Sequence, residues 1–242
     1  MTLVKCKCIV GYGYGWRSIG YYFIYRCCFY CIVGRISICT VEAAPITNNV
    51  IGTWTSQNSL INNFNQGSCV NYQNYIYCAN GDNTTTVEAA PITNNVIGTW
   101  TSQNNLINNF EYGSCVNYQN YIYCADGSVF GSNTVEAAPI TNNVIGTWTV
   151  QNSLINDMGG GSCVTYQNYI YCANGYPNEN TVEAAPITNN VIGTWTSQNS
   201  LINNFDQGSC VNYQNYIYCA NGYPTYNTVE AAIPLIILNY LL

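Results

Sequence analysis

Cysteine is the residue whose spacing suggests chemistry first. Of 14 cysteines, eight fall in four pairs: Cys69 with Cys78, Cys115 with Cys124, Cys163 with Cys172, and Cys210 with Cys219. Each pair bounds the same stretch, Cys-Val-(Asn/Thr)-Tyr-Gln-Asn-Tyr-Ile-Tyr-Cys. Thiols placed this way can oxidise to a disulfide, pack as free thiols or hold a metal. Metal binding is the weakest of these, because there is no Cys-x-x-Cys step and no histidine in the chain.

A two-residue turn at Gln73-Asn74 sets Tyr72 opposite Tyr75, Val70 opposite Tyr77 and Cys69 opposite Cys78. Pairs alternate outward from such a turn, so the cysteines form a non-hydrogen-bonded pair with Cα atoms about 4.5 Å apart. That is close to the short end of disulfide geometry. The expectation is four disulfides, one per hairpin, with buried free thiols as the alternative.

Glu42, Glu88, Glu136, Glu183 and Glu230 recur just as regularly, each inside Thr-Val-Glu-Ala-Ala. A ring of carboxylates could bind calcium or supply an acid/base pair. On separate repeats they stand too far apart for paired catalysis, and solvated strand charges are the expected role. Trp54, Trp100, Trp148 and Trp195 also recur, and are expected to anchor packing between repeats. Without histidine there is no imidazole acid/base chemistry. No catalytic constellation, cofactor or metal is expected.

The elements that must position these residues follow from the period. Thr-Val-Glu-Ala-Ala opens at Thr40, Thr86, Thr134, Thr181 and Thr228, at spacings of 46, 48, 47 and 47 residues. The blocks are 40–85, 86–133, 134–180 and 181–227. Each carries four strand signals, in the first block Thr40 to Ile46 (stopping near Pro45), Ile51 to Thr55, Cys69 to Tyr72 and Tyr75 to Cys78. Asn and Gly punctuate them, and β-branched and aromatic residues fill them. No segment shows helical periodicity. Four short strands per period of this length indicate an all-β protein, a β-propeller of four-stranded blades.

The glycine after Tyr-Ile-Tyr-Cys, then Thr-Val-Glu-Ala-Ala-Pro-Ile, then Ile-Gly-Thr-Trp-Thr, resembles a kelch-like blade of the divergent microbial type, over residues 29–232. The double glycine typical of kelch is reduced here to Asn80-Gly81, Asp126-Gly127, Asn174-Gly175 and Asn221-Gly222. The resemblance implies that the cysteine hairpin supplies the two inner strands and that the tryptophan strand lies outermost. The copper oxidases that share the kelch fold need histidine ligands, which this chain lacks.

The ends differ from the array. Residues 1–28 form an atypical Cys/Tyr-rich segment, either a degenerate repeat or a weak targeting segment. Phe29 to Gly34 matches the second hairpin strand, with Tyr22 where the partner of Cys31 should stand. Residues 233–242 are an apolar tail too short to span a bilayer. The N-terminal half-copy and this tail can together form a composite fifth blade beside four intact ones. A rival account makes both ends frame-shifted repeat.

Charge limits the partners. All five basic residues precede the array and all 11 acidic residues lie at or after Glu42. Nucleic acid is excluded as a partner for want of a basic footprint. Membrane contact is expected only through residues 1–39. The regular cysteine pairing favours an extracellular or cell-surface location, the alternative being the cytoplasm of a thermophile.

Differences between the near-identical blocks fall mostly in loops on one face of the array, while Tyr-Gln-Asn-Tyr and Pro-Ile-Thr-Asn-Asn-Val on the other face are unchanged in the intact copies. The variable face offers Asn65, Gln66, Glu111, Tyr112, Phe130, Tyr176, Asp206, Tyr223 and Tyr226 as candidate binding residues. Such side chains on a rigid scaffold suit protein or glycan ligands. The expected function is a non-catalytic binding or surface-structural module. The alternatives are a carbohydrate-active enzyme or lectin, and an eroded product of repeat expansion without defined function.

Overall fold

The computed structural model describes residues 41–47, 50–128, 131–177, 180–222 and 228–234. Phe29 to Gly34, Tyr22, and all of the apolar tail beyond Pro234 lie outside them, as do the expectations placed there.

The chain is a β-propeller of four blades. The first is built from β5 (Ser68–Tyr72), β6 (Tyr75–Ala79), β7 (Val87–Thr93), β8 (Val96–Ile97) and β9 (Thr101–Ser102). The second repeats this as β10 (Ser114–Tyr118), β11 (Tyr121–Ala125), β12 (Val135–Thr141), β13 (Val144–Ile145) and β14 (Thr149–Val150). The third has β15 (Ser162–Tyr166), β16 (Tyr169–Ala173), β17 (Val182–Thr188), β18 (Val191–Ile192) and β19 (Thr196–Ser197). The fourth holds β20 (Ser209–Tyr213), β21 (Tyr216–Ala220) and β22 (Val229–Ala232). Ahead of the first blade, β1 (Val41–Ala43), β2 (Ile46–Thr47), β3 (Val50–Ile51) and β4 (Thr55–Gln57) form the outer half of one further unit.

Within a blade the strands run antiparallel in chain order. The innermost strands of consecutive blades pack side by side in the order β5, β10, β15, β20. The hairpin register is the expected one, with Tyr72 opposite Tyr75, Val70 opposite Tyr77 and Cys69 opposite Cys78. All four pairs are disulfides, with Cα atoms 4.1 Å apart. Gln73 and its three counterparts take the turn at positive φ.

Two expectations change. First, the third strand does not stop at proline: β7 runs through Pro91, and the fourth strand breaks instead. In a β-strand a residue's N–H and C=O point to the same side. The Pro91 carbonyl accepts from Gly98 N at 2.7 Å on the outer side, so the missing N–H faces outward too. The outer strand therefore pairs in two pieces, Ile97 with Ile92 and Thr101 with Ala89, and turns Trp100 inward between them. A Cβ on Gly98 would meet the Pro91 ring at 2.8 Å, which is why glycine stands at the break.

Val229–Ala232 pairs with β21 as third strand of the fourth blade, with Glu230 opposite Cys219. The composite fifth blade expected from Phe29 to Gly34 and the apolar tail lies outside the described residues.

Second, three of the recurring glutamates are not solvated. Glu88, Glu136 and Glu183 are each 0 % exposed. Burial of a carboxylate without a counter-ion needs hydrogen bonds in its place, and no Lys or Arg follows Arg35. Glu88 accepts from Ile61 N at 2.7 Å, Asn62 N at 2.8 Å, Asn62 Nδ2 at 2.9 Å and Asn80 Nδ2 at 2.6 Å. Glu183 repeats the set with Ile155, Asn156 and Asn174. The carboxylate thus ties the linker that enters a blade to that blade's third strand.

Neighbouring units are joined at two further places. Gln57 Oε1 accepts from Ile97 N at 3.0 Å, Asn58 Nδ2 donates to Ile97 O at 3.0 Å, and Trp100 Nε1 donates to Asn58 O at 2.8 Å. Gln-Asn so fills the gap in the broken outer strand of the next blade. The same bonds link Gln103-Asn104 to Ile145 and Trp148, and Gln151-Asn152 to Ile192 and Trp195. At the axis, Ser68 Oγ accepts from Cys115 N at 2.9 Å, and Ser114 and Ser162 do the same for Cys163 and Cys210.

Candidate functional site

The linker into each blade and the loop between its second and third strands meet on one face. Asn65 N donates to Asn80 O at 3.0 Å and Asp82 N to Asn65 O at 2.8 Å. Phe110 N donates to Thr84 O at 2.9 Å, which carries the contact into the next unit. Phe64, Phe110, Met158 and Phe205 are buried beneath this face and hold the linkers down.

Two adjacent positions per blade carry most of the variation. The first holds Asn65, Glu111, Gly159 and Asp206, and the second Gln66, Tyr112, Gly160 and Gln207. All four residues of the second set have positive φ, between 55° and 72°. Their backbones are bonded in series: Tyr112 N to Gln66 O at 3.0 Å, Gly160 N to Tyr112 O at 2.8 Å, and Gln207 N to Gly160 O at 2.8 Å. One left-handed residue from each blade therefore enters a single hydrogen-bonded chain. The side chains that leave it differ while the backbone path is shared.

Gln66 Nε2 donates to the Tyr112 hydroxyl. The buried side-chain oxygens Gln66 Oε1 and Asn65 Oδ1 accept no hydrogen bond, an unusual state for buried carbonyls. In the third blade Gly159 and Gly160 present no side chain, and a Cβ at Gly160 would stand 2.5 Å from Asp206 Oδ1. Tyr176 lies beside them, its N–H on Gly159 O at 2.8 Å and its side chain exposed. Asp82, Glu111, Asp157 and Asp206 give the face its charge. Burial first, and then the negative charge of Asp82, raises the Glu111 pKa above its ordinary value.

The structure thus brings Asn65, Gln66, Glu111, Tyr112, Tyr176 and Asp206 to one face. Phe130, Tyr223 and Tyr226 lie outside the described residues. Gly160 and Gln207 belong to the set and were not among the candidates. Their equivalence to Gln66 and Tyr112 within the repeat is the signal that finds them.

The opposite face is made of turns. Asn94 and Asn95 both have positive φ, as do Asn142 with Asn143 and Asn189 with Asn190. Asn tolerates the left-handed region better than most residues, which accounts for the constancy of Thr-Asn-Asn-Val by turn geometry alone. Among the described residues no three His, Cys, Asp or Glu side chains converge as metal ligands.

One buried site departs from the repeat. Where the other blades have Asn80, Asn174 and Asn221 donating to glutamate, the second has Asp126, hydrogen-bonded to Glu136 and to Thr134 Oγ1 at 2.9 Å. Burial, then the charge of Glu136, pushes the Asp126 pKa up to about 8.

The blade architecture and this loop face define a propeller scaffold. No family model matches the sequence, and no curated protein matches it. A solved structure titled "Structure of YjhT" is similar in fold, with a TM-score of 0.56 and 10 % identity, over 67 % of this chain and 59 % of that one. The chain thus covers less than two thirds of that structure's length, and the likeness is one of fold.

Proposed function

We propose that the chain is a kelch-like propeller serving as a non-catalytic binding module of the cell exterior, with protein or glycan ligands bound on the variable loop face. The observation that carries this reading is the bonded series Gln66, Tyr112, Gly160, Gln207. It fixes the backbone through left-handed residues while exchanging Gln, Tyr and Gly side chains above it, the arrangement by which rigid scaffolds diversify recognition. The orphaned Asn65 and Gln66 oxygens favour a ligand rich in hydrogen-bond donors. The four disulfides suit an oxidising exterior. Asp126, whose pKa is raised, and its neighbour Glu136 are 1 % and 0 % exposed and so are closed to substrate, which supports a non-catalytic role.

A glycan array probed in parallel with a surface-protein library tests the reading. A ligand from either should lose at least tenfold in affinity, about 1.4 kcal/mol, with Glu111→Gln plus Tyr112→Ala, while Gln119→Ala on the opposite face should leave it unchanged. The reverse pattern would overturn the proposal.

A further inference from the structure

The loop between β6 and β7 carries a residue that the packing of the array does not call for. We infer that Asn83 in this loop is an acceptor for N-linked glycosylation, taking an oligosaccharide from a lipid-diphosphate carrier. The inference rests on the exterior location proposed above and on nothing about the ligand of the loop face, so either can fail alone.

Asn83-Thr84-Thr85 is an Asn-x-Thr acceptor sequence, and no other asparagine in the chain is followed two residues on by Ser or Thr. Such triplets also arise by chance, so the case turns on Thr85. It occupies the position of Asn133, Asn180 and Asn227, each directly ahead of its block's Thr-Val-Glu-Ala-Ala. The backbone does the same work in each case: Leu106 N donates to Thr85 O, Leu154 N to Asn133 O and Leu201 N to Asn180 O, all at 2.9 Å. Asn133 adds a side-chain bond, Nδ2 to Leu154 O at 3.4 Å, which threonine forgoes. The joint therefore works with asparagine and gains nothing from threonine. What the Thr85 hydroxyl supplies is the group by which an acceptor asparagine two residues earlier is recognised.

The loop presents that asparagine. Asp82 and Asn83 form its tip, both exposed and both at positive φ, 57° and 55°. Beneath them the turn is closed by Thr84, whose N and Oγ1 donate to Gly81 O at 3.1 and 2.8 Å. Neighbouring asparagines are tied through their amides, Asn65 to Asp82 and Asn80 to Glu88. The Asn83 amide has no such partner among the described residues. Its left-handed φ accounts for an asparagine at the tip, and its exposure leaves Nδ2 open to reaction.

In the transfer, Asn83 Nδ2 attacks C1 of the carrier-bound sugar. The Nδ2–C1 bond forms, the bond from C1 to the carrier's phosphate oxygen breaks, the lipid diphosphate leaves, and Nδ2 gives up one proton. The flanking bridges Cys69–Cys78 and Cys115–Cys124 form in the same kind of compartment, the oxidising secretory lumen. The antiparallel bridge of Thr84 with Phe110 sets this loop against the linker of the next blade. A glycan on Asn83 therefore stands over the joint between the first two blades.

Expression of the full chain through a eukaryotic secretory pathway tests this. The disulfide-linked chain is recovered from lumen or medium, cut with chymotrypsin and treated with peptide N-glycosidase in heavy-oxygen water, beside an enzyme-free control. In wild type, Asn83 should convert to labelled aspartate, and the intact chain should lose the mass of a single oligosaccharide. Asn83→Gln and Thr85→Ala should abolish the label, and Thr85→Ser should keep it. Thr85→Asn restores the residue of the other blades, so it should fold with all its bridges and carry no glycan, which separates loss of the acceptor from misfolding. An unlabelled Asn83 in the wild-type chain, or a label that survives in Thr85→Asn, would each overturn the inference.

Discussion

Asp126 stands against Glu136 as Asn80 stands against Glu88, so that one blade in four holds a carboxyl where an amide donates. Two carboxyl groups can share that hydrogen bond only if one keeps its proton, and Asp126 does so, its pKa pushed from 3.8 to about 8. A carboxyl whose folded pKa exceeds its unfolded value gives stability that is full below the unfolded value and is lost as pH rises through the folded one. Stability should therefore decline between roughly pH 4 and pH 8. Asp126→Asn should flatten that decline and raise the melting temperature at pH 8 and above, as read by thermal unfolding across the range.

Glu88 is a buried carboxylate held only by neutral donors. Glu88→Ala leaves four donors without their acceptor and should cost on the order of 3 kcal/mol or more in urea unfolding.

Trp148 is both packing and joint. Trp148→Phe keeps most of the ring volume but strands Asn104 O, which accepts from the indole at 2.9 Å. The expected loss is about 1 kcal/mol, against about 3–5 kcal/mol for Trp148→Ala. Denaturant midpoints of the two variants separate the hydrogen bond from the packing.

Removing the Cys115–Cys124 bridge by paired serine substitution should cost about 2–3 kcal/mol on the chain-entropy account of a short loop. Peptide mapping without reductant should return four intra-hairpin links, and free thiols at these eight positions would contradict the fold's covalent frame.

The hairpins were legible in the sequence because every determinant is local. The turn pair, the alternation and the terminal cysteines lie within one short stretch, so register and cross-link follow from counting. The role of Glu88 was not legible, since its donors Ile61 and Asn62 stand 27 and 26 residues away in another element, and Thr-Val-Glu-Ala-Ala alone reads as strand with a surface charge. Gln57 and Asn58 were hidden for the same reason. On the loop face, comparison of copies found positions 65 and 66 with their equivalents. It could not find the left-handed series, because Gln66 and Tyr112 are not residue types that announce positive φ.

The joints between units have a consequence for how the molecule comes apart. Gln-Asn, Trp and Ser bond only to the adjoining unit, so total stability is a sum over units and nearest-neighbour interfaces. A unit held on both sides, such as the second blade, opens only by breaking two interfaces, whereas among the described residues β1–β4 and β20–β22 are each held on one. Hydrogen exchange should fray this array inward from its ends, with the slowest amides in β11 and β12, and capping either end should slow the whole sequence.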